Sequence, residues 1–141
     1  MKSADEARVI EARVASLWSS PPSVYFEEQP RPDGASEFLA VFVRPGRGAH
    51  LYLGQPAYRY AGVVIAQVFV KPETGTRRAR ELGDLFAALW YNANPKHPIS
   101  LTDGTAGTLR FKAPHVGDIA RRDGWLQLNV SVAFERDVSL S

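Results

Sequence analysis

An α+β domain is the fold class this sequence predicts, and three stretches predict it. Residues 77–90 put Ala79, Leu82, Phe86, Leu89 and Trp90 on one face at helical spacing. Residues 58–71 form a long run rich in valine and aromatic side chains, suited to a strand. Residues 125–134 alternate, with Leu126, Leu128, Val130, Val132 and Phe134 on one face and Trp125, Gln127, Asn129 and Ser131 on the other. The resulting order of helix, strands, long strand, helix and strands implies a mainly antiparallel sheet with two helices packed on one face.

The elements follow in chain order. Ser3-Ala4-Asp5-Glu6 has capping-box spacing, with Ser3 placed to accept from the Glu6 amide and the Glu6 carboxylate placed to reach back. Beyond it, Ile10, Val14, Leu17 and Trp18 share a face, and Pro21-Pro22 ends the helix. Val24-Tyr25-Phe26 is a short apolar run, and residues 27–35, with Pro30, Pro32 and Gly34, read as a turn-rich linker. Residues 38–43 read as a strand apolar on both faces, hence central or covered. Arg44-Pro45-Gly46-Arg47-Gly48 is expected to leave regular structure as a loop or mobile hairpin, because Pro45 lacks a donor and two glycines make ordering costly.

Gly62 is expected to bend or bulge the long strand over residues 58–71. Pro72-Glu73-Thr74-Gly75-Thr76 is a turn in which Thr74 or Thr76 can cap the second helix. That helix must finish near Tyr91, ahead of Pro95 and Pro98. Residues 109–112 form a short strand, residues 117–124 look polar and turn-like, and residues 136–141 are expected to fray. The domain core is thus placed at residues 4–135.

Composition narrows the class further. A chain of 141 residues is long enough to bury roughly two-thirds of its unfolded surface in one domain. Its 45% hydrophobic and 23% charged residues are ordinary for a globular protein. Lysine and arginine number 17 against 15 acidic residues, a formal charge of +2, and no dense basic stripe runs along the sequence. A dedicated nucleic-acid binder is therefore the weaker reading, and no sequence-specific nucleic-acid partner is expected. The absence of cysteine removes disulfides, thiol nucleophiles and thiolate metal sites. The acidic start lacks a signal peptide's apolar run, and the apolar stretch at residues 61–66 is far too short for a bilayer. A soluble protein with no membrane partner is expected.

Motifs for chemistry are missing. His50, His97 and His115 are far apart and stand in no ligand spacing, whereas a metal needs three or four converging ligands. No Gly-x-Ser-x-Gly elbow occurs, Glu27-Glu28 reads as a solvated pair, and Gly46-Arg47-Gly48 lacks the Lys-Ser/Thr and helix of a phosphate cradle. No catalytic, cofactor-binding or metal-binding residue is assigned, and no enzyme is expected. Arg77, Arg78 and Arg80 crowd a helix start, where the dipole disfavours cations, so an acidic partner is expected for them. With Arg44, Arg47, Leu51, Tyr52 and Leu53 they make the candidate oligomer or partner interface.

Several segments together resemble a known family. They are Ile10-Glu11-Ala12-Arg13-Val14, Phe38-Leu39-Ala40-Val41-Phe42-Val43, Leu51-Tyr52-Leu53-Gly54, and the strand from Tyr60 through Gly62 to Val70. Pro72-Glu73-Thr74-Gly75-Thr76, Leu82-Gly83-Asp84-Leu85-Phe86 and Gly124-Trp125-Leu126-Gln127-Leu128-Asn129-Val130-Ser131-Val132 complete the set. Between Glu6 and Phe134 the chain is similar to the phage-related, tail-terminator-like proteins of tail gene clusters and prophages. It departs from them in the segment 91–107 and at Val70 and Lys71. The resemblance implies a non-enzymatic structural protein that caps the tail tube and joins it to the head connector. It implies itself as partner in a ring, commonly hexameric, with the tail tube protein and the head-tail connector protein as further partners. The implied location is the bacterial host cytoplasm during assembly and then the virion tail. Another head-tail joining or minor tail component of the same fold is the alternative, since fold does not fix function.

Overall fold

The computed structural model describes residues 3–19, 23–26, 36–50, 57–92, 98–102 and 107–139. The elements are α1 (Ser3–Leu17), β1 (Val24–Phe26), β2 (Glu37–His50), β3 (Ala57–Val70), a 3-10 turn (Pro72–Thr74), α2 (Thr76–Ala88), β4 (Ser100–Thr102), β5 (Thr108–Phe111), β6 (His115–Arg122) and β7 (Trp125–Ser139). They form an α+β domain with one seven-stranded sheet in the order β1-β2-β3-β7-β5-β4, with β6 also on β7. Every pairing is antiparallel except β1 with β2.

The axis of the sheet is β3 against β7, in unbroken register from Ala57 opposite Ser139 to Val70 opposite Leu126. On its other edge β7 takes β6 along residues 125–131 and β5 at Phe134 and Glu135, so the sheet curls where one neighbour replaces the other. The alternation in β7 lands as expected: Leu128, Val130, Val132 and Phe134 lie in the core cluster and Leu126 is buried at the strand's start. Leu39, Val41 and Val43 of β2 and Val64, Ala66, Val68 and Val70 of β3 join the same face. Over it lie α2, against β7 and β3, and α1, against β2, contributing Ala79, Leu82, Phe86, Ile10 and Val14. Burial of this one face by two helical stripes is the main source of stability.

Close approach of α2 depends on Gly83. A Cβ there would sit 2.8 Å from Leu128 Cδ2. Alanine normally favours a helix over glycine by about 1 kcal/mol, but overpacking a core costs about 1–3 kcal/mol. Gly83→Ala is expected to lower the melting temperature, where the same change on an exposed helical face would raise it.

Several expectations are corrected. Residues 44–48 do not leave regular structure, because β2 runs through them to His50 as one arm of an antiparallel β2–β3 hairpin. The register with β3 shifts between Arg44, opposite Val63, and Arg47, opposite Ala61, so Pro45 and Gly46 together face Gly62. A bulge suits Pro45, since the ladder is interrupted where its missing N–H would have donated. The bulge expected at Gly62 thus lies in β2 opposite it, and β3 keeps unbroken register with β7 through Gly62. Residues 117–124 are β6 and a tight turn, not a polar turn region: Asp123 and Gly124 have φ of 48° and 78°, the two positive values a two-residue hairpin of matching twist requires. The frayed tail is overturned as well, since β7 continues to Ser139 and Arg136 is buried; residues 140–141 lie outside the described residues.

The helix ends differ too. Neither Thr74 nor Thr76 caps α2, whose N-cap is Gly75 at φ 84° with no side-chain cap bond. Glu6, read as half of a capping box, is fully buried and accepts from Arg136 Nε. Leu17 is 46% exposed, because only Ile10 and Val14 of the expected α1 stripe reach the core while Trp18 is half-buried against Phe86. β1 and β4 were not read as strands from sequence, each being three residues long. No helix among the described residues is long and apolar enough to cross a membrane.

Candidate interaction surface

The cations at the start of α2 and Arg44 end up on opposite faces of the sheet. Arg77, Arg78 and Arg80 lie in the first turns of α2, on the helical side. Arg78 is held by a forked pair to Glu37 at the start of β2, with Nε donating at 2.9 Å and Nη2 at 2.8 Å to separate carboxylate oxygens. Its Nη1 also lies 3.7 Å from Glu81 Oε2, and the exposed Arg77 donates to Glu81 Oε1 at 3.2 Å. Glu37 of the same chain is therefore an acidic partner for Arg78. Arg80 is exposed. Arg44 stands on the other face, its guanidinium carbon 5.5 Å from the Phe42 ring centroid, and Arg47 occupies the register position opposite Ala61. Leu51, Tyr52 and Leu53 lie outside the described residues.

Electrostatics follow the geometry. The hydrogen bonds from Arg78 hold the Glu37 carboxyl below the ordinary carboxylate range, overcoming its partial burial, and the same contact raises the Arg78 guanidinium. Because the folded-state pKa of Glu37 is depressed, its contribution is fully present above the unfolded value near ~4.3. It is lost as pH falls through the lower folded value. Glu37→Gln is expected to cost about 1 kcal/mol at neutral pH. The gap from the parent protein should close as the acid unfolding limb passes below the ordinary carboxylate range. Arg13, half-buried beside α2, donates to the Leu89 carbonyl at 2.8 Å, and burial lowers its pKa.

The helix-free face has a packed end and an open middle. Phe38 and Phe69 stack with centroids 4.7 Å apart, Trp125 meets Phe38 edge-on at 5.2 Å, and Lys71 Nζ lies 4.0 Å from the Trp125 ring centroid. This small second core keeps Phe38 and Phe69 buried although no helix covers them. Along the middle, Phe42, Val63, Ile65 and Gln67 are half-buried and Asn129 and Ala133 exposed. At the far end Arg59 and Arg110 converge on Glu135, at 3.7 Å and 3.2 Å.

The outer edge of β2 adds a second feature. β1 pairs only with Leu39, Ala40 and Val41, so among the described residues no strand lies beside Phe42–His50 on that side. Such an edge presents main-chain donors and acceptors to another chain. Among the described residues no three His, Cys, Asp or Glu side chains gather at metal-binding distance. An open groove of about 460 Å³ runs along α1 between Arg8, Arg13, Leu17 and Thr102.

Sequence reasoning missed Glu37, Lys71 and Arg110, whereas periodicity put Trp125 on the non-core face of β7; the pairing of Glu37 with Arg78, 41 residues apart, had no local signal.

No protein-family model and no curated protein matches the chain. Solved structures do. Among twelve matching chains, one that carries no functional description superposes with a TM-score of 0.72 at 16% identity, covering 100% of this chain and 99% of that one. Similarity at that identity establishes a shared fold across the whole length and nothing about activity.

Proposed function

We propose that this chain is a structural protein of a phage or prophage tail: a tail terminator that assembles as a ring, caps the tail tube and meets the head connector. The observation that carries the reading is the unit formed by β3, the Pro72–Thr74 turn and α2. The segments with the most distinctive family resemblance, from Tyr60 through Gly62 to Val70 and from Pro72 to Thr76, are consecutive parts of the central strand and of the turn leading into the principal core helix. The resemblance therefore rests on residues that build the fold.

Two surface features support the role. A ring is closed by a heterologous contact in which one patch meets a different patch of the next subunit. The unpartnered β2 edge beyond Val41 and the exposed first turns of α2, with Arg77 and Arg80, are two dissimilar surfaces suited to such contact. The role is mechanical and asks for no reacting group.

Electron microscopy of the purified protein incubated with polymerised tail tubes tests the proposal. A ring seated at one end of each tube is the expected result. Tubes left bare, or decorated along their sides, would overturn it, and a ring found only on head connectors would favour the alternative joining component. Arg77→Glu with Arg80→Glu probes the α2 end in the same assay without touching the Arg78–Glu37 pair.

A further inference from the structure

We infer that the helix-free face of the sheet is a binding surface for single-stranded nucleic acid, held through its phosphates and without sequence specificity. The modest formal charge of +2 conceals a marked segregation. Cross-strand partners share a face, and on that basis Arg44, Arg59, Lys71, Arg110, Lys112 and Arg122 all belong to the helix-free side. Arg44 lies over Phe42, Lys71 over Trp125, and Arg59 and Arg110 on Glu135. Arg122 pairs in register with Trp125, and the Lys112 amide donates to the Ala133 carbonyl. The carboxylates of that side are Glu135 and, by alternation with Ile119, Asp118, and Asp137 occupies the register position opposite Arg59.

The helical side is balanced by contrast. Asp5, Glu6, Glu11, Glu37, Glu73, Glu81 and Asp84 there stand against Arg8, Arg13, Arg77, Arg78, Arg80, Arg136 and, opposite Leu126, Arg121. Among the described residues a second copy of the chain thus offers no acidic surface to match the basic one. An external polyanion does.

The layout favours a strand over a compact anion. Arg59 and Lys71 are twelve residues apart in sequence, about 40 Å along an extended chain, and the cations border a floor without charge. That floor consists of Val63, Ile65, Gln67, Asn129, Ser131 and Ala133, apolar and amide groups against which bases can lie while phosphates reach the rim. Arg44 on β2 and Arg110 and Lys112 at β5 border it on opposite sides. A charged acidic protein would gain from the rim but not from this floor.

The inference does not rest on the tail reading, because strand binding and tube capping are separate readouts. Fluorescence anisotropy would follow a labelled single-stranded DNA of about 20 nucleotides, its duplex, and polyglutamate as competitor. Salt would run from about 50 to about 200 mM. Single strands should bind, with a log–log salt slope of about −2 to −4. Lys71→Glu/Lys112→Glu/Arg122→Glu should weaken binding at least about tenfold and flatten that slope, while Arg77→Glu/Arg80→Glu on the helical side stays within about twofold. Should the triple reversal lose its circular-dichroism signature, Lys71→Gln/Lys112→Gln/Arg122→Gln replaces it with the same expectation. Salt-insensitive or absent binding, equal loss in the helical-side variant, duplex bound as tightly as single strands, or displacement by polyglutamate at equal charge would each overturn the inference.

Discussion

Val130→Asp should leave the protein unfolded at room temperature. Val130 is fully buried at the centre of β7, paired with Ala66 on one side and Val116 on the other. Its Cγ2 lies 3.5 Å from where a Gly83 Cβ would stand. A carboxylate there has no cation to meet and no room for water, because α2 lies directly above. The effective penalty for burying one unpaired ion is several kcal/mol. That is comparable with the roughly 5–15 kcal/mol by which domains of this size are stable. Asn129→Asp is the matched control, one residue away on the exposed face, and should change stability by no more than about 0.5 kcal/mol. Loss of the near-ultraviolet dichroism in the first variant and its retention in the second is the expected pattern. A cooperative melt at the parent temperature for Val130→Asp would mean that β7 is turned over.

The second large effect is expected at the pair joining the two ends of the chain. Arg136 Nε donates to Glu6 Oε1; the Glu6 side chain is 0% exposed and that of Arg136 9%. The guanidinium carbon also lies 4.4 Å from the Tyr60 ring centroid. Removing either partner leaves a buried charge without its counterpart, so Glu6→Met or Arg136→Met alone should cost about 3–5 kcal/mol. The double variant Glu6→Met/Arg136→Met removes both charges and should recover most of that loss, since replacing a buried pair by apolar groups is often near neutral. Denaturant melts of the four proteins form a double-mutant cycle. Additive losses would show that the pair is not coupled. Because the contact spans 130 positions, it also fixes the start of α1 against the far end of β7, where the sheet extends beyond Gly62.

The ion pair and the basic face were invisible in sequence for one reason. Alternation and helical spacing report which side of an element is apolar, and they work over a few residues. They placed Leu128, Val130, Val132 and Phe134 in the core, set the α2 stripe, and located the turn at residues 72–76. They could not say that Glu6, three positions after a serine, serves Arg136 across the fold rather than its own helix end. Nor could they foresee that Arg44, Lys71, Lys112 and Arg122, scattered among neutral neighbours, would share one side once β3 and β7 paired.

Local chemistry that can be satisfied in two ways was misjudged in the same manner. Pro45 and its glycines argued for a loop, yet opposite Gly62 they are a bulge within a continuing strand, because β3 supplies pairing on both sides of the irregularity. Asp123-Gly124 carried a hairpin signal, but its flanking strand β6 is largely exposed on one edge of β7, so no apolar alternation announced it.

The sequence by itself determined the α+β class, the two helices over one sheet face and the central strands, since each depends on periodic apolar residues. Tertiary structure alone decided the strand order, the burial of Glu6 with Arg136, the internal use of Arg78 and the gathering of cations on the helix-free face. These depend on contacts between residues far apart in the chain, and distance in space is information that local spacing does not contain.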